Sequence, residues 1–164
     1  LGQYTFGVFM IQGAYLTSRQ LDIWRLRRDG LPQFRIAERL GVTRQAIHNV
    51  IGLIDKKVSG VLQDAARMNK VEAQYIDPVR GILLGYSPEV KDQVIITFSV
   101  RNGIQTWYRH TGQCADCDLE NECRKMLLEE AEERSINLTE EDKKEPPAKL
   151  AHKVFSKVIP GLKP

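Results

Sequence analysis

The sequence lacks the features that mark several common protein classes. Only three of its 164 residues are cysteine, and all three lie within residues 114–123, a spacing too tight for a framework of disulfides. No apolar run approaches the ~20 residues that span a bilayer. Residues 1–15 have neither the basic start nor the small-residue cleavage site of a signal peptide. Together these absences favour a protein of the reducing cytoplasm.

Patterns of catalysis are also missing. The chain has no glycine-rich loop that would cradle a phosphate, no cluster of carboxylates in an apolar setting, and no nucleophile beside a base. The sequence therefore predicts a binding or regulatory protein and not an enzyme.

Charge is divided unevenly along the chain, although the net charge is only +3. Residues 17–70 contain eleven Lys and Arg against five Asp and Glu, a net of +6. Residues 116–145 contain five against twelve, a net of −7. The basic half indicates a polyanionic partner, and the acidic segment would be repelled by one. The alternative is that both are the solvated faces of ordinary helices.

The N-terminal half predicts three helices separated by two short turns. Thr17 or Ser18 can cap the first helix, and Gly30 is placed to end it. Pro32 suits the first position of the second helix, because a donor there is unpaired in any case. Gly41 suits the left-handed turn that follows.

The second and third of these helices have the spacing of a helix-turn-helix. Two helices joined by a tight turn cross closely, so they need a small residue at the crossing and a glycine in the turn. Ala37 and Gly41 fill these positions, and Thr43 can cap the next helix. Apolar residues that would hold the two helices together are Ile36, Leu40, Val42, Ile47 and Val50. The pattern predicts a DNA-binding module.

The stretch LTSRQLDIWRLRRDGLPQFRIAERLGVTRQAIHNVI resembles the helix-turn-helix of the LuxR and sigma-factor region-4 class. Among whole proteins, it is most similar to the archaeal Tfx-type transcriptional regulators. The LT..Q opening, the R..GLPQ..IA..LGVTR core and the long following helix carry the similarity, across residues 16–70. The resemblance implies a regulator of transcription whose third helix enters the major groove of DNA.

The start of the third helix supplies the candidates for contacts with bases. Arg44 suits guanine, and Gln45 or Asn49 suits adenine, because their paired hydrogen-bonding atoms match those base edges. His48 is expected to contact the groove or the DNA backbone. The better candidates for phosphate are Arg35, Arg39, Thr43, Lys56 and Lys57.

The third helix is expected to continue past Gly52. Its apolar residues recur at close to heptad spacing: Ile47, Ile51, Ile54, Val58, Val61 and Ala65. This stripe could be the seam of a homodimer, or it could pack on the C-terminal part of the same chain. The homodimer is favoured, because one module reads only a few base pairs and symmetric pairing doubles the site.

After residue 70 the pattern alternates and becomes rich in β-branched and aromatic residues, which predicts strands. Asn102-Gly103 predicts a hairpin within residues 94–109. Val94, Ile96, Phe98 and Val100 would share one face of it. Residues 80–86 would add a third strand, so we expect a small antiparallel sheet.

The three cysteines follow the hairpin as Cys114-x2-Cys117-x5-Cys123, at the start of a helix expected over residues 119–134, with Leu119 on its apolar side. Thiolates at this spacing can reach one metal. The pattern resembles the three-cysteine arm that binds a 4Fe–4S cluster, for which four thiolates are the norm. Zinc also needs four ligands, and His110 supplies the fourth from the same segment.

An iron–sulfur cluster is favoured over zinc, and buried thiols without metal are the third alternative. The loop is too acidic for a core segment, and Asp116 or Asp118 could be an unusual fourth ligand. An iron–sulfur cluster could sense redox state or iron, whereas zinc would mainly stabilise the fold.

The expected fold class is α+β. Residues 1–15 are an arm or an added remnant, with Met10 as a candidate start, and residues 16–70 are the helix-turn-helix domain. Residues 71–138 form a small sensor or dimerisation domain with the cysteines. Residues 139–164 are a charged linker and a last helix, beginning at Pro147, that docks on the sheet or on a partner subunit.

Two functions are compatible with these features. The first is a dimeric, sequence-specific regulator of transcription with a metal-bearing sensor domain. The second is a structural or adaptor protein in which the helical module binds protein and zinc stabilises the fold. Salt-dependent binding to duplex DNA of a preferred sequence would separate the two.

Overall fold

The computed structural model of the protein describes residues 16–109 and 113–162. The expectations for residues 1–15 and for His110 lie outside these ranges. Within them the chain forms three helices, four strands and three further helices, which is an α+β fold. No helix in these ranges is long and apolar enough to cross a membrane.

The elements follow one another in a simple order. The helices are α1 (Ser18–Arg28), α2 (Gln33–Leu40), α3 (Arg44–Met68), α4 (Glu120–Glu133), α5 (Glu140–Lys144) and α6 (Pro147–Ser156). The strands are β1 (Glu72–Asp77), β2 (Ile82–Ser87), β3 (Asp92–Ser99) and β4 (Gly103–Tyr108). A single 3-10 turn, Cys114–Asp116, precedes α4.

The first and third helices begin where the sequence indicated, whereas α2 begins at Gln33, one residue after the predicted Pro32. The Thr17 hydroxyl accepts from the Gln20 backbone at 3.2 Å, and the Gln20 side chain accepts from the Thr17 backbone at 3.0 Å. Gly41 follows α2 with φ 64° and ψ 36°, and the Thr43 hydroxyl accepts from the backbone of Ala46 at 3.1 Å. These caps satisfy donors that helix ends leave open, so local sequence sets the boundaries.

The strands form one antiparallel sheet in the order β1-β2-β3-β4. The predicted hairpin is confirmed, since Ser99 lies opposite Gly103 across a three-residue loop and Gly103 has φ 64°. A glycine suits that position because side chains rarely adopt positive φ. Strands β2 and β3 are also paired with each other, and residues 88–91 connect them.

Both faces of the sheet are buried, each by a different set of helices. One face packs with α1, α2 and α3 through Leu83, Val94, Ile96 and Phe98. The other packs with α4 and α6 through Ile82, Leu84 and Ile95. The described residues therefore form a helical layer on each side of the sheet and two hydrophobic cores.

The apolar stripe of α3 belongs to the first of these cores. All six of its residues are buried within the chain: Ile47, Ile51, Ile54, Val58, Val61 and Ala65. This corrects the interpretation of the stripe as a dimer seam, because the chain's own sheet and helices already cover it. Periodicity had indicated a buried face without indicating the surface that buries it.

The C-terminal part confirms one expectation and corrects two. The last helix docks on the sheet, where Phe155 meets Trp107 with ring centroids 5.4 Å apart. The segment expected to be a linker contains α5, whose first turn is closed by a capping box at Thr139. Leu119, expected on the apolar side of α4, is 58% exposed and precedes the helix, which begins at Glu120.

Candidate nucleic-acid interface and cysteine segment

The first two turns of α3 have a polar face exposed to solvent and an apolar side chain buried in the core. Arg44, Gln45, His48 and Asn49 are all exposed, whereas Ile47 between them is 1% exposed. An α-helix repeats every 3.6 residues, so one side of this segment lies in the core and the other faces solvent. The three side chains predicted to contact bases, Arg44, Gln45 and Asn49, thus share one surface with His48.

The turn between α2 and α3 fixes how this surface is presented. Ala37 is 5% exposed and lies in the core at the point where the helices meet. The Val42 backbone N–H donates to the Ala37 carbonyl at 3.1 Å across the left-handed Gly41. Because a small residue and a glycine occupy these positions, α2 can approach the start of α3 closely.

Two of the polar side chains are already paired with each other. Gln45 Nε2 donates to Asn49 Oδ1 at 3.0 Å, a contact between residues one helical turn apart. The bond leaves Gln45 Oε1 as an acceptor and the Asn49 amide as a donor. An adenine edge in the major groove offers the complementary donor and acceptor.

A cleft beside this face adds a residue that the sequence analysis missed. Gln33, the first residue of α2, lines it together with Arg44, Gln45 and His48. The first N–H groups of a helix have no partner within the helix, so this end of α2 is a suitable place for phosphate. The signal in the sequence was a glutamine directly after Pro32, the residue that precedes the helix.

The side chains predicted to contact phosphate are placed differently from one another. Arg39 and Lys56 are exposed and make no ion pair with any residue that the structure describes. Arg35 is exposed and bonded to Glu38 at 3.0 Å. Lys57 donates to the Gln20 side chain of α1 at 3.1 Å, so it is directed towards its own chain.

The thiols lie in one segment but in three different environments. Cys114 is buried, Cys117 is exposed and Cys123 is half-buried on α4. The Cys117 backbone N–H donates to the Cys114 carbonyl at 3.1 Å, which closes the 3-10 turn. Burial raises the pKa of the Cys123 thiol, and the neighbouring Cys117 and Cys114 raise it further.

These side chains do not form a ready metal site. Within residues 16–109 and 113–162, no group of three or more His, Cys, Asp or Glu side chains is placed to hold a metal ion. Asp116 and Asp118 are both exposed, and His110 lies outside the described residues. A metal would require the three thiols to converge further and a fourth ligand to join them.

Helix α4, which carries Cys123, is tied to the helices of the interface. Glu133 Oε1 accepts from Arg28 Nη1 of α1 at 3.0 Å, and the two side chains are 7% and 5% exposed. The same oxygen accepts from the Val100 backbone at 2.7 Å. A buried ion pair therefore joins the two helical layers past the β3–β4 loop.

Comparison with known proteins assigns no relative to this chain. No family model matches it, and no curated protein or solved structure matches it significantly. Any function proposed for the interface therefore depends on its residues and their geometry.

Proposed function

We propose that the protein is a sequence-specific, DNA-binding regulator of transcription whose reading surface is the start of α3. One observation carries the proposal: Arg44, Gln45, His48 and Asn49 share an exposed face while Ile47 anchors the same turns in the core. A helix that enters the major groove needs this arrangement, since its base-reading residues must project while the helix stays rigidly attached.

The turn before α3 supports the proposal. Ala37 and the left-handed Gly41 occupy the positions that a helix-turn-helix needs. The resemblance of residues 16–70 to the LuxR, sigma region-4 and Tfx-type modules points the same way.

Electrostatics supports a polyanion as the partner. Residues 17–70 carry a net charge of +6, and several of these cations are exposed around the reading face. Arg39, Arg44 and Lys56 have no carboxylate partner among the described residues, so their charges are not neutralised within the chain. Such cations gain free energy when they replace the counterions of DNA.

The side chains of the reading face suggest a division of roles. Arg44 presents paired donors for the O6 and N7 acceptors of guanine, and the bonded Gln45–Asn49 pair presents an acceptor and a donor for adenine. Arg39, Lys56, Thr43 and the start of α2 at Gln33 would contact phosphate and set the register.

We further propose that the protein binds DNA as a homodimer, because one module reads only a few base pairs. The α3 stripe is buried, so the dimer contact would use another surface. Selection of a two-fold symmetric site, together with a dimer mass in sedimentation of the complex, is the expected result. A single asymmetric half-site bound by a monomer would contradict this part of the proposal.

The test is selection of a preferred duplex from a randomised pool, followed by fluorescence anisotropy at several salt concentrations. We expect Arg44→Ala to weaken binding to the selected site by about 1–3 kcal/mol and to relax one base position. The matched control is Arg67→Ala, near the other end of α3, roughly 35 Å away at 1.5 Å per residue. Arg67 is exposed and should leave affinity unchanged.

Two outcomes would contradict the proposal. Equal losses of DNA affinity in Arg44→Ala and Arg67→Ala would show that the start of α3 does not recognise the base sequence. Binding to duplex DNA without sequence preference or salt dependence would favour the adaptor function instead.

A metal bound by Cys114, Cys117 and Cys123 is a separate proposal, and DNA binding does not depend on it. It is supported by the C-x2-C-x5-C spacing, which places all three thiols within residues 114–123. Anaerobic purification, an absorption spectrum and elemental analysis would test it. Iron with sulfide would indicate a cluster, and one zinc per chain would indicate a structural metal. A protein that contains neither metal would contradict the proposal.

A further inference from the structure

A cavity of about 270 Å³ lies on the sheet face that is opposite α3. Trp107 of β4, Leu127 of α4, and Ala151 and Phe155 of α6 form its walls. Its volume is just below the roughly 300–1,000 Å³ of typical ligand sites, so its occupant must be small. The cavity shares no residue with the reading face of α3.

The walls suit a flat ring. The Trp107 and Phe155 rings both line the cavity, tilted by 57° with centroids 5.4 Å apart. Trp107 is half-buried and Phe155 is 1% exposed, so Trp107 supplies most of the accessible aromatic surface. Trp107 Nε1 already donates to Thr97 Oγ1 at 3.0 Å, so the indole offers its ring and not a hydrogen bond. Aromatic ligands pack well on such surfaces in offset or edge-to-face geometry.

The polar residues of the cavity suit an anion. Arg109 and His152 line it, and no carboxylate of the described residues does. Arg109 Nε lies 3.5 Å from Asp92 Oδ2 at the start of β3, which anchors the guanidinium beside the cavity. Guanidinium and imidazole groups are good donors to a carboxylate.

We propose that this cavity binds a small planar aromatic carboxylate. Its ring would pack against Trp107 and Phe155, and its carboxylate would accept hydrogen bonds from Arg109 and His152. The apolar walls bind the ring through buried area, and the two donors fix its orientation.

The position of the cavity gives this site a regulatory role, an extension that rests on the proposed DNA-binding function. Helix α4 lines the cavity with Cys123 and Leu127, and its last residue, Glu133, is ion-paired with Arg28 of α1. A ligand that shifts α4 acts directly on the layer that holds α3. Coupling of this kind is reciprocal, so DNA would change ligand affinity by the same factor.

The first experiment is a calorimetric and fluorescence titration of the full chain with benzoate, 2-naphthoate and indole-3-carboxylate, without DNA. The chain has two tryptophans, and Trp24 is fully buried away from the cavity, so a change in emission reports on Trp107. Binding of at least one probe with a change in emission is expected. No binding of any probe at millimolar concentration would overturn the proposal.

Two variants of α6 locate the bound probe. Ala151→Phe fills the cavity and should weaken binding by at least about tenfold, since the ring loses its space. Ser156→Phe adds the same side chain at an exposed position on the same helix and should change binding less than about twofold. Equal affinity for both variants would place the probe elsewhere and overturn the site.

The charge of the ligand is tested with 2-naphthamide, an uncharged analogue of 2-naphthoate. The carboxylate should bind at least about fivefold tighter, because Arg109 and His152 then contact an anion. Equal affinity of the two compounds would overturn the assignment of a carboxylate.

The regulatory role is tested by measuring affinity for the selected duplex with and without saturating probe. A change of at least about fivefold is expected. Probe binding without a change in DNA affinity would overturn the regulatory role alone. Failure of the unliganded protein to bind DNA would contradict the proposed function, and the titration without DNA would still decide the cavity.

Discussion

The start of α3 and the C-terminal helices differ in how several of their cations are paired. In α4–α6, Arg124, Lys143 and Lys153 each pair with a carboxylate of their own layer. Around the start of α3, Arg39 and Arg44 have no such partner within the described residues. Exposed ion pairs contribute little to stability, so the difference concerns surface charge more than stability.

The two layers also differ in net charge. The N-terminal layer keeps a positive surface that a polyanion would neutralise, whereas the C-terminal layer is net acidic and would be kept away from DNA. The sheet between them is buried on both faces, and the Arg28–Glu133 pair joins the layers directly. The layers are therefore distinct in charge but joined in structure.

The largest expected loss of stability comes from a substitution that breaks the buried polar contacts of α4. Arg134 and Glu130 are both 0% exposed, their charged groups lie 2.6 Å apart, and Arg134 also donates to the Arg80 and Phe98 carbonyls. Glu130→Ala leaves Arg134 without its carboxylate, and burial already lowers the pKa of Arg134. We expect the free energy of unfolding to fall by about 3–5 kcal/mol in urea denaturation.

The control for this prediction is on the same helix. Glu132 is 68% exposed, and its ion pair with Arg101 lies at the surface. Glu132→Ala should change the free energy of unfolding by less than about 0.5 kcal/mol. Similar losses for Glu130→Ala and Glu132→Ala would show that burial of the pair is not what matters.

The next effect compares a glycine of the β1–β2 turn with a glycine of helix α3. A Cβ at Gly81, where φ is +64°, would lie 2.4 Å from the Phe98 carbonyl oxygen and 3.0 Å from Trp24. Gly81→Ala should therefore destabilise the protein by about 1–3 kcal/mol. Gly60 in α3 has nothing within 4 Å, so Gly60→Ala should stabilise it by about 0.5–1 kcal/mol. Thermal unfolding measures the change in stability of each variant. A change of the same sign in both variants would contradict the explanation.

A smaller effect sharpens the electrostatic comparison. Arg39→Ala should weaken binding to all duplexes alike and reduce the slope of log affinity against log salt by about one unit. Lys143→Ala removes a cation that is paired with Glu140 on the opposite layer, and it should leave the slope unchanged. Anisotropy titrations across salt concentrations measure both. Equal slopes for native protein and Arg39→Ala would remove Arg39 from the set of phosphate contacts.

The smallest effect concerns a carboxyl group of the acidic layer. A hydrogen bond from Lys153 lowers the pKa of Asp142 from 3.8 to about 2, with help from the Thr139 backbone. Because the folded pKa is lowered, the pair stabilises the fold above pH 3.8, and this contribution is lost as the pH falls through about 2. Carboxyl NMR titration should show the Asp142 pKa rising in Lys153→Met. An unchanged pKa would assign the shift to the Thr139 cap.

Much of the fold could be predicted because its signals are local. The Thr17 and Thr43 hydroxyls cap helices by accepting hydrogen bonds from the backbone three residues further along. Gly41 and Gly103 adopt the positive φ that their turns need. The five-residue α5 was missed, since its charged sequence also suits a linker. A short helix has too few periodic positions to be recognised by pattern.

The candidate sites were predictable to different degrees. The polar face of α3 could be predicted, because burial of Ile47 requires exposure of its neighbours around the helix. The direction of Lys57 could not, since it depends on Gln20 of another helix. The arrangement of the thiols depends on how the segment before α4 packs, which spacing does not define. The metal, the DNA contacts and the dimer therefore stay predictions.

The sequence by itself determined the caps of α1 and α3, the hairpin, the polar face of α3 and the separation of charge, because each depends on neighbours a few residues apart. Tertiary structure alone decided what covers the α3 stripe, where the aromatic cavity forms, and that Arg28 meets Glu133 across 105 residues. These features join surfaces that are distant in the chain. A periodic pattern states that a face is buried, but only packing selects its partner.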